Sequence, residues 1–402
     1  MKSSLRLTTL SKVLILLLII GLIGGGIFAG VSKGFIKTNK DKSTDNTTIA
    51  SNDKTTSSEI VSVEDINEDG NVINTTKSSS DTINLSLDEW IGWKSMIDAN
   101  GGLSTQPGSI YDQLGIKVNI SIINDATQSS NALISGDLDA AGYTINRIAF
   151  LQNKFKTGNT EVVVPFVTNF SNGGDGIIAK STINTTKDLV NAKIGVPQFS
   201  EAHTLVLWFV NNSSDLTDEE KQNIIDNLVF FATPEESAKA FFAGDVDVAA
   251  TWEPYLTQAQ NMTDAHIFFS TKSSTSLVMD CIAFNKEFAE ANSEVVTKFI
   301  KGALMASDMY DTDLETIKKV MPMFSTSSDE DIKDNCAGAR LTTYADNISL
   351  LGEGGTARSM YIDMCDIWNS IGEIADASTV NSIFTTQYVE SLAEEFSATE
   401  IS

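Results

Sequence analysis

Hydrophobic and polar positions fall into three regimes along the chain. Residues 13–31 (VLILLLIIGLIGGGIFAGV) are an unbroken apolar run without a charge. Residues 41–80 are the opposite: they hold no Leu and no aromatic residue, and 25 of the 40 are Ser, Thr, Asn or Asp. From residue 81 the apolar positions return in short blocks that switch between strand-like runs and helical spacing. The blocks predict strands at 83–87, 117–123 and 138–143, with helices at 93–100, 109–114 and 127–135 between them. A second series predicts strands at 176–179, 193–197, 228–232 and 246–250, and helices at 201–212 and 219–227. Thr233-Pro234-Glu235-Glu236 opens a further helix, with Thr as N-cap and Pro in the first turn. Such alternation implies α/β sheets with parallel strands.

An internal echo links the two series. Ala132-Leu-Ile-Ser-Gly-Asp-Leu-Asp-Ala-Ala141 is similar to Ala240-Phe-Phe-Ala-Gly-Asp-Val-Asp-Val-Ala249. In both, a helix stops on glycine, an Asp-x-Asp pair turns the chain and a small-residue strand follows. The repeat predicts two similarly built lobes, which suits 402 residues, more than one core organises. Beyond about residue 285 the pattern is helical: Val296, Phe299, Ile300, Ala303 and Leu304 share one face, Ser327 and Glu330 form a capping box, and 359–371 and 380–396 follow as helices. This tail is expected to buttress one lobe.

Charge and cysteines narrow the chemistry. The 28 basic and 53 acidic residues leave a net charge of −25, which phosphate backbones repel, so nucleic acid is excluded as a partner. Two histidines, His203 and His266, and three scattered cysteines give no metal or redox pattern, so neither metal nor cofactor is expected. The first 40 residues carry six basic residues and no acid. A cationic start followed by an apolar run long enough to span ~30 Å of hydrocarbon predicts a single transmembrane anchor with the acidic bulk outside the cytoplasm. A cleaved signal ending near Ile27-Phe28-Ala29 remains the alternative. The expected organisation is a basic cytoplasmic terminus at 1–12, an anchor or signal at 13–31, a disordered linker at 32–80, lobe 1 at 81–170, lobe 2 at 171–268, and a return to lobe 1 with C-terminal helices at 269–402.

Four segments in order carry a family resemblance: Ile194-Gly-Val-Pro leading to Ser200, Thr233 to Asp247, Trp252-Glu-Pro-Tyr255, and Asn292-Ser-Glu-Val-Val296. Together they resemble the substrate-binding proteins of ABC importers, in the nitrate, sulfonate, taurine and thiamine-precursor branch. The likeness runs from about 83 to 305. Phe199 departs from the family's small residue before Ser200 and leaves the pocket shape open. The resemblance implies a two-lobed periplasmic-binding-protein-like (type 2) α/β fold with a hinge, an interlobe cleft, and permease and ATPase partners. It implies a monomeric binder, not an enzyme.

Ligands of open α/β sheets sit beyond the carboxyl ends of the strands, and the candidate contacts are chosen there. Trp90 and Trp93 follow the first strand and could stack on or clamp a ligand. Asp125, Tyr143, Thr144 and Asn169 stand at strand ends or in the expected hinge. Ser200, Glu201 and His203 open a helix whose N-terminus favours anions, although Glu201 opposes one. Trp252 and Glu253 come from the family-like motif. Asp280 lies inside the apolar strand 277–284, where a carboxylate needs a partner or a ligand. Arg147 and Lys94, the nearby cations, read as solvated. The excess of carboxylates predicts a ligand with an amino group or nitrogen heterocycle. A ligand-sensing ectodomain and a pyrimidine-precursor enzyme are the competing readings. The first would be expected to continue into a signalling module. The second belongs with a cysteine cluster that is missing from this sequence.

Overall fold

Short runs of β-branched and small apolar residues become strands here, and eleven of them sort into two sheets in the computed structural model. The structure describes residues 67, 71–76, 79–274 and 277–396. The anchor or signal expected at 13–31 therefore lies outside the described residues, as does most of the linker. Among the described residues no helix is long and apolar enough to cross a membrane.

Lobe 1 is built on β1 (Thr82–Leu87), β2 (Lys117–Ile122), β3 (Ala140–Thr144), β4 (Val162–Ser171), β10 (Met279–Asn285) and β11 (Ala339–Leu341), in the order β11-β4-β10-β3-β1-β2. Lobe 2 holds β5 (Asp175–Lys180), β6 (Ile194–Pro197), β7 (Val229–Phe231), β8 (Val248–Trp252) and β9 (Ala265–Ser270), in the order β7-β6-β8-β5-β9. Both sheets are mixed, which corrects the expectation of parallel strands. β1 runs parallel to β2 and β3, and β6 to β7 and β8. The strands that carry the chain between lobes reverse direction: β10 is antiparallel to β3 and β4, and β5 is antiparallel to β8 and β9.

The helices of eight or more residues, among those described, are α1 (Ala126–Ser135), α2 (Ile145–Thr157), α3 (Glu201–Asn212), α4 (Asp218–Asp226), α5 (Pro234–Ala243), α6 (Ser293–Met305), α7 (Asp329–Ala337), α8 (Tyr344–Leu351) and α9 (Thr356–Ser370). The sequence echo has a structural counterpart. α1 and α5 end on Gly136 and Gly244, at φ 80° and 83°, a left-handed conformation in which a Cβ is disfavoured. The second aspartate of each pair then ties the incoming strand to its neighbour: Asp139 accepts from the Asn84 amide at 2.8 Å and Asp247 from the Lys193 amide at 3.1 Å.

Three expectations for the ends of the folded body differ from the structure. Residues 71–76, placed in the linker, lie against lobe 1: Val72 is fully buried and bridges Ile122, and the Asn74 side-chain amide donates to the Leu103 carbonyl at 2.7 Å. The capping box of α7 uses Ser328 and Asp331, one residue beyond the expected pair. The stretch 380–396 is three short helical pieces, because Phe384 turns extended to bridge Val164 of β4 and bury its ring. The tail also supplies β11, which pairs with β4.

The core of lobe 1 packs around Trp93, Phe284 and Phe299, all essentially inaccessible, while two smaller clusters flank the lobe 2 sheet. Trp252 and Leu207 of lobe 2 belong to the lobe 1 cluster. The lobes are therefore in close apposition.

Candidate functional site

The strand ends that face across the two lobes converge on one buried group of side chains. β1 ends before Asp88 and Trp90, β4 ends through Asn169 and Ser171, Asp175 opens β5, and β8 ends at Trp252. Register completes the set: Asp280 of β10 lies opposite Thr144 on one side and Asn169 on the other, while Asp175 lies opposite Trp252. The Trp90 indole donates to Asn169 Oδ1 at 3.1 Å and stacks on Trp252, with ring centroids 6.3 Å apart and planes at 21°. The Trp93 indole donates to Asp88 Oδ1 at 2.6 Å. Across the cleft, Arg147 of α2 grips Glu201 of α3 with two bonds, Nε to Oε2 at 2.8 Å and Nη2 to Oε1 at 3.3 Å.

Close packing comes from glycine where the chain crosses between lobes. A Cβ at Gly174 would stand 2.1 Å from Trp90 Cη2 and 2.8 Å from the Gly338 carbonyl, so only glycine lets the indole rest there. Phe199 takes φ 60°, unusual for a residue with a side chain. Its ring stacks on Phe150 of lobe 1 at 4.3 Å, which offsets the backbone cost. Beside it the Asn146 amide donates to Thr204 Oγ1 at 2.6 Å, a second polar link between lobes.

Four carboxyl groups, Asp88, Asp175, Glu201 and Asp280, thus share a site with one guanidinium. Burial pushes Asp88 up to about 6 and Asp175 up to about 8, Glu201 and Asp88 adding repulsion at Asp175. Asp280 is held far above the usual carboxylate range by burial, and then by the charges of Asp175, Asp88 and Glu201. Asp175 Oδ1, Asp280 Oδ2 and the Trp252 indole N–H are buried without a hydrogen-bond partner. The arrangement leaves two carboxyl oxygens and one indole N–H to be answered by an occupant. Among the described residues no group of three or more His, Cys, Asp or Glu is placed to hold a metal ion.

Trp90, Trp93, Asn169, Glu201, Trp252 and Asp280 are brought together. Tyr143 lies close enough to interact electrostatically with Asp88 and Arg147, but its hydroxyl bonds Ser129 at 3.0 Å. Thr144 and Ser200 are at the edge as N-caps of α2 and α3, accepting from the Arg147 and His203 amides. Three candidates are engaged elsewhere. Asp125 caps α1 through the Thr127 amide at 2.7 Å. Glu253 binds the amide and hydroxyl of Thr257. His203 is enclosed by Phe199, Phe230 and Trp368, and burial draws its pKa down to about 4.

The cations expected in solvent are both buried: Arg147 on Glu201, and Lys94 on Asp98 at 2.6 Å, within lobe 1. Asp88 and Asp175 are site residues that the sequence reading passed over. Each stands at a strand end in a turn-like context, Leu-Asp-Glu-Trp and Gly-Gly-Asp-Gly, where an acid ordinarily meets water.

Two α/β lobes closed on a buried polar site define the class of the periplasmic-binding-protein fold. Within it, the chain belongs to the NMT1/THI5 like family, whose pattern matches residues 105–310. The taurine-binding periplasmic protein of Escherichia coli is 25% identical over 183 residues, covering 44% of this chain and 53% of that protein. The chain thus spans about half the length of this curated relative. Among solved structures, the periplasmic aliphatic sulphonate binding protein SsuA from Escherichia coli matches with a TM-score of 0.60 at 13% identity, over 78% of this chain and 100% of that one. The periplasmic nitrate-binding protein NrtA from Synechocystis matches at 0.57 and 11%, over 78% and 88%. At these identities the likeness is one of fold.

Proposed function

We propose that this chain is an extracytoplasmic solute-binding protein that captures a small nitrogen cation between its lobes. The solute carries an ammonium group or a protonated nitrogen heterocycle, and the protein delivers it to an ABC import permease with its ATPase. The observation that carries this reading is the pair of buried, unpartnered oxygens Asp175 Oδ1 and Asp280 Oδ2. A cation seated there would supply the hydrogen bonds and charge that burial removes. Trp90 and Trp252 provide aromatic faces for it.

The named relatives for taurine, sulphonate and nitrate support the transport role; sulphonate and nitrate are anions, whereas taurine carries an ammonium group beside its sulfonate. A sulfonate or nitrate in this cleft would meet carboxyl groups and a guanidinium already paired. Binding without turnover fits the residues at hand, since His203, which could serve as a general base, is walled in by aromatic rings. The cationic start and the apolar run at 13–31 support a membrane-anchored protein held outside the cytoplasm. Mass spectrometry of small molecules that co-purify with the full chain tests the reading. The expected solute contains an amine or nitrogen heterocycle; recovery of only nitrate or an alkanesulfonate without an amino group would overturn it.

A further inference from the structure

The Arg147–Glu201 pair has the shape of an occupied anion site. Glu201 is the first residue of α3, a twelve-residue helix capped by Ser200, so its charge belongs to the turn where the helix dipole favours an anion. Arg147 presents its fork to both oxygens. The side chains are 10% and 2% exposed, so neither charge is answered by water. Arg147 is also the cation whose field reaches Asp88 and Asp175. A bidentate guanidinium beside a helix N-terminus is how proteins hold sulfonates, phosphates and carboxylates. Here the carboxylate belongs to the chain itself.

We infer that Glu201 is a charge-selecting residue: a tethered anion that fills the cleft's anion seat, bars acidic solutes and leaves the remaining carboxyls free for a cation. The inference rests on the solute-capture reading above and adds the device that sets ligand charge. It follows that removing the tethered carboxylate should turn the seat over to a free acid, with Arg147 as its counterion.

Full-length wild type, Glu201→Ala, Glu201→Gln and the double variant Arg147→Ala/Glu201→Ala are titrated calorimetrically with ethanesulfonate at pH 6, where Asp175 still holds its proton. Wild type should give no saturable heat. Glu201→Ala should give a saturable isotherm with a Kd at least about tenfold below the highest ethanesulfonate concentration at which wild type shows none, Glu201→Gln should bind more weakly than Glu201→Ala, and Arg147→Ala in the double variant should abolish the binding. If Glu201→Ala does not fold, Glu201→Gln, which preserves the shape, decides. Folded single variants that gain nothing overturn the role of Glu201 alone. A wild type that binds ethanesulfonate as tightly as the variants overturns both this role and the cationic reading of the cleft.

Discussion

Asp280 is flanked along β10 by Met279, Cys281, Ile282, Ala283 and Phe284, and it is 3% exposed. A carboxyl group there keeps its proton well above the usual range, so the unfolded chain, which sheds that proton near 4, gains on the closed fold as pH rises above that value. Asp280→Asn should therefore raise Tm by about 2–4 °C at pH 8 and hardly change it at pH 4. The same variant should weaken binding of the co-purifying solute by about 100-fold or more. Calorimetric scans at the two pH values and one titration check both halves; a lower Tm at pH 8 with unchanged affinity would contradict them. Asp280 was legible in the sequence because a lone acid in an apolar strand has few structural uses. Asp88 and Asp175 were not, because a strand-end turn does not announce that its acid will be half-buried or buried. Arg147 was misread for a related reason: its partner Glu201 is 54 residues away, on a helix of the opposite lobe.

At the scale of elements, the crossing segment sets how near the lobes approach. The Gly174 Cα faces the Trp90 ring, and any Cβ would overlap it. Gly174→Ala should displace Trp90, hold the cleft open and lower solute affinity by about ten- to a hundredfold. Tm of the empty protein should fall as well, since Trp90 belongs to the lobe 1 core and the added Cβ also crowds the Gly338 carbonyl. Thermal scans and solute titration check this, and unchanged affinity would show that Trp90 is not part of the closing surface. The helix–Gly–Asp-x-Asp–strand units were readable, since glycine caps and aspartate turns are local devices. Strand direction was not, because β4, β5 and β10 pair with strands from distant parts of the chain. The break at 384–386 escaped the helical pattern because Phe384 gains more by packing on β4 than by continuing the helix.

For the whole molecule, closure gathers like charges. The buried carboxyls meet at the centre. Around them Glu89 faces the charge of Glu235, and Glu253 that of Asp334, each pair spanning the two lobes. On a chain with a net charge of −25, such an acidic cleft draws cations in and resists closing empty. The sign of the pH effect follows from Asp88 and Asp175, raised to about 6 and about 8. Their protonated forms favour the closed state, so empty closure is strongest in acid and is lost as pH rises to about 8. A cation at the carboxyls restores it. The direct measurement is the interlobe distance between spin labels at Asn131→Cys on α1 and Gln222→Cys on α4, both exposed, the native cysteines being buried. Without solute the account predicts a short distance at pH 5 and a longer one at pH 8, with the co-purifying nitrogen solute returning the short distance at pH 8. Closure at pH 8 by ethanesulfonate or nitrate, or an empty protein that closes further as pH rises, would contradict it.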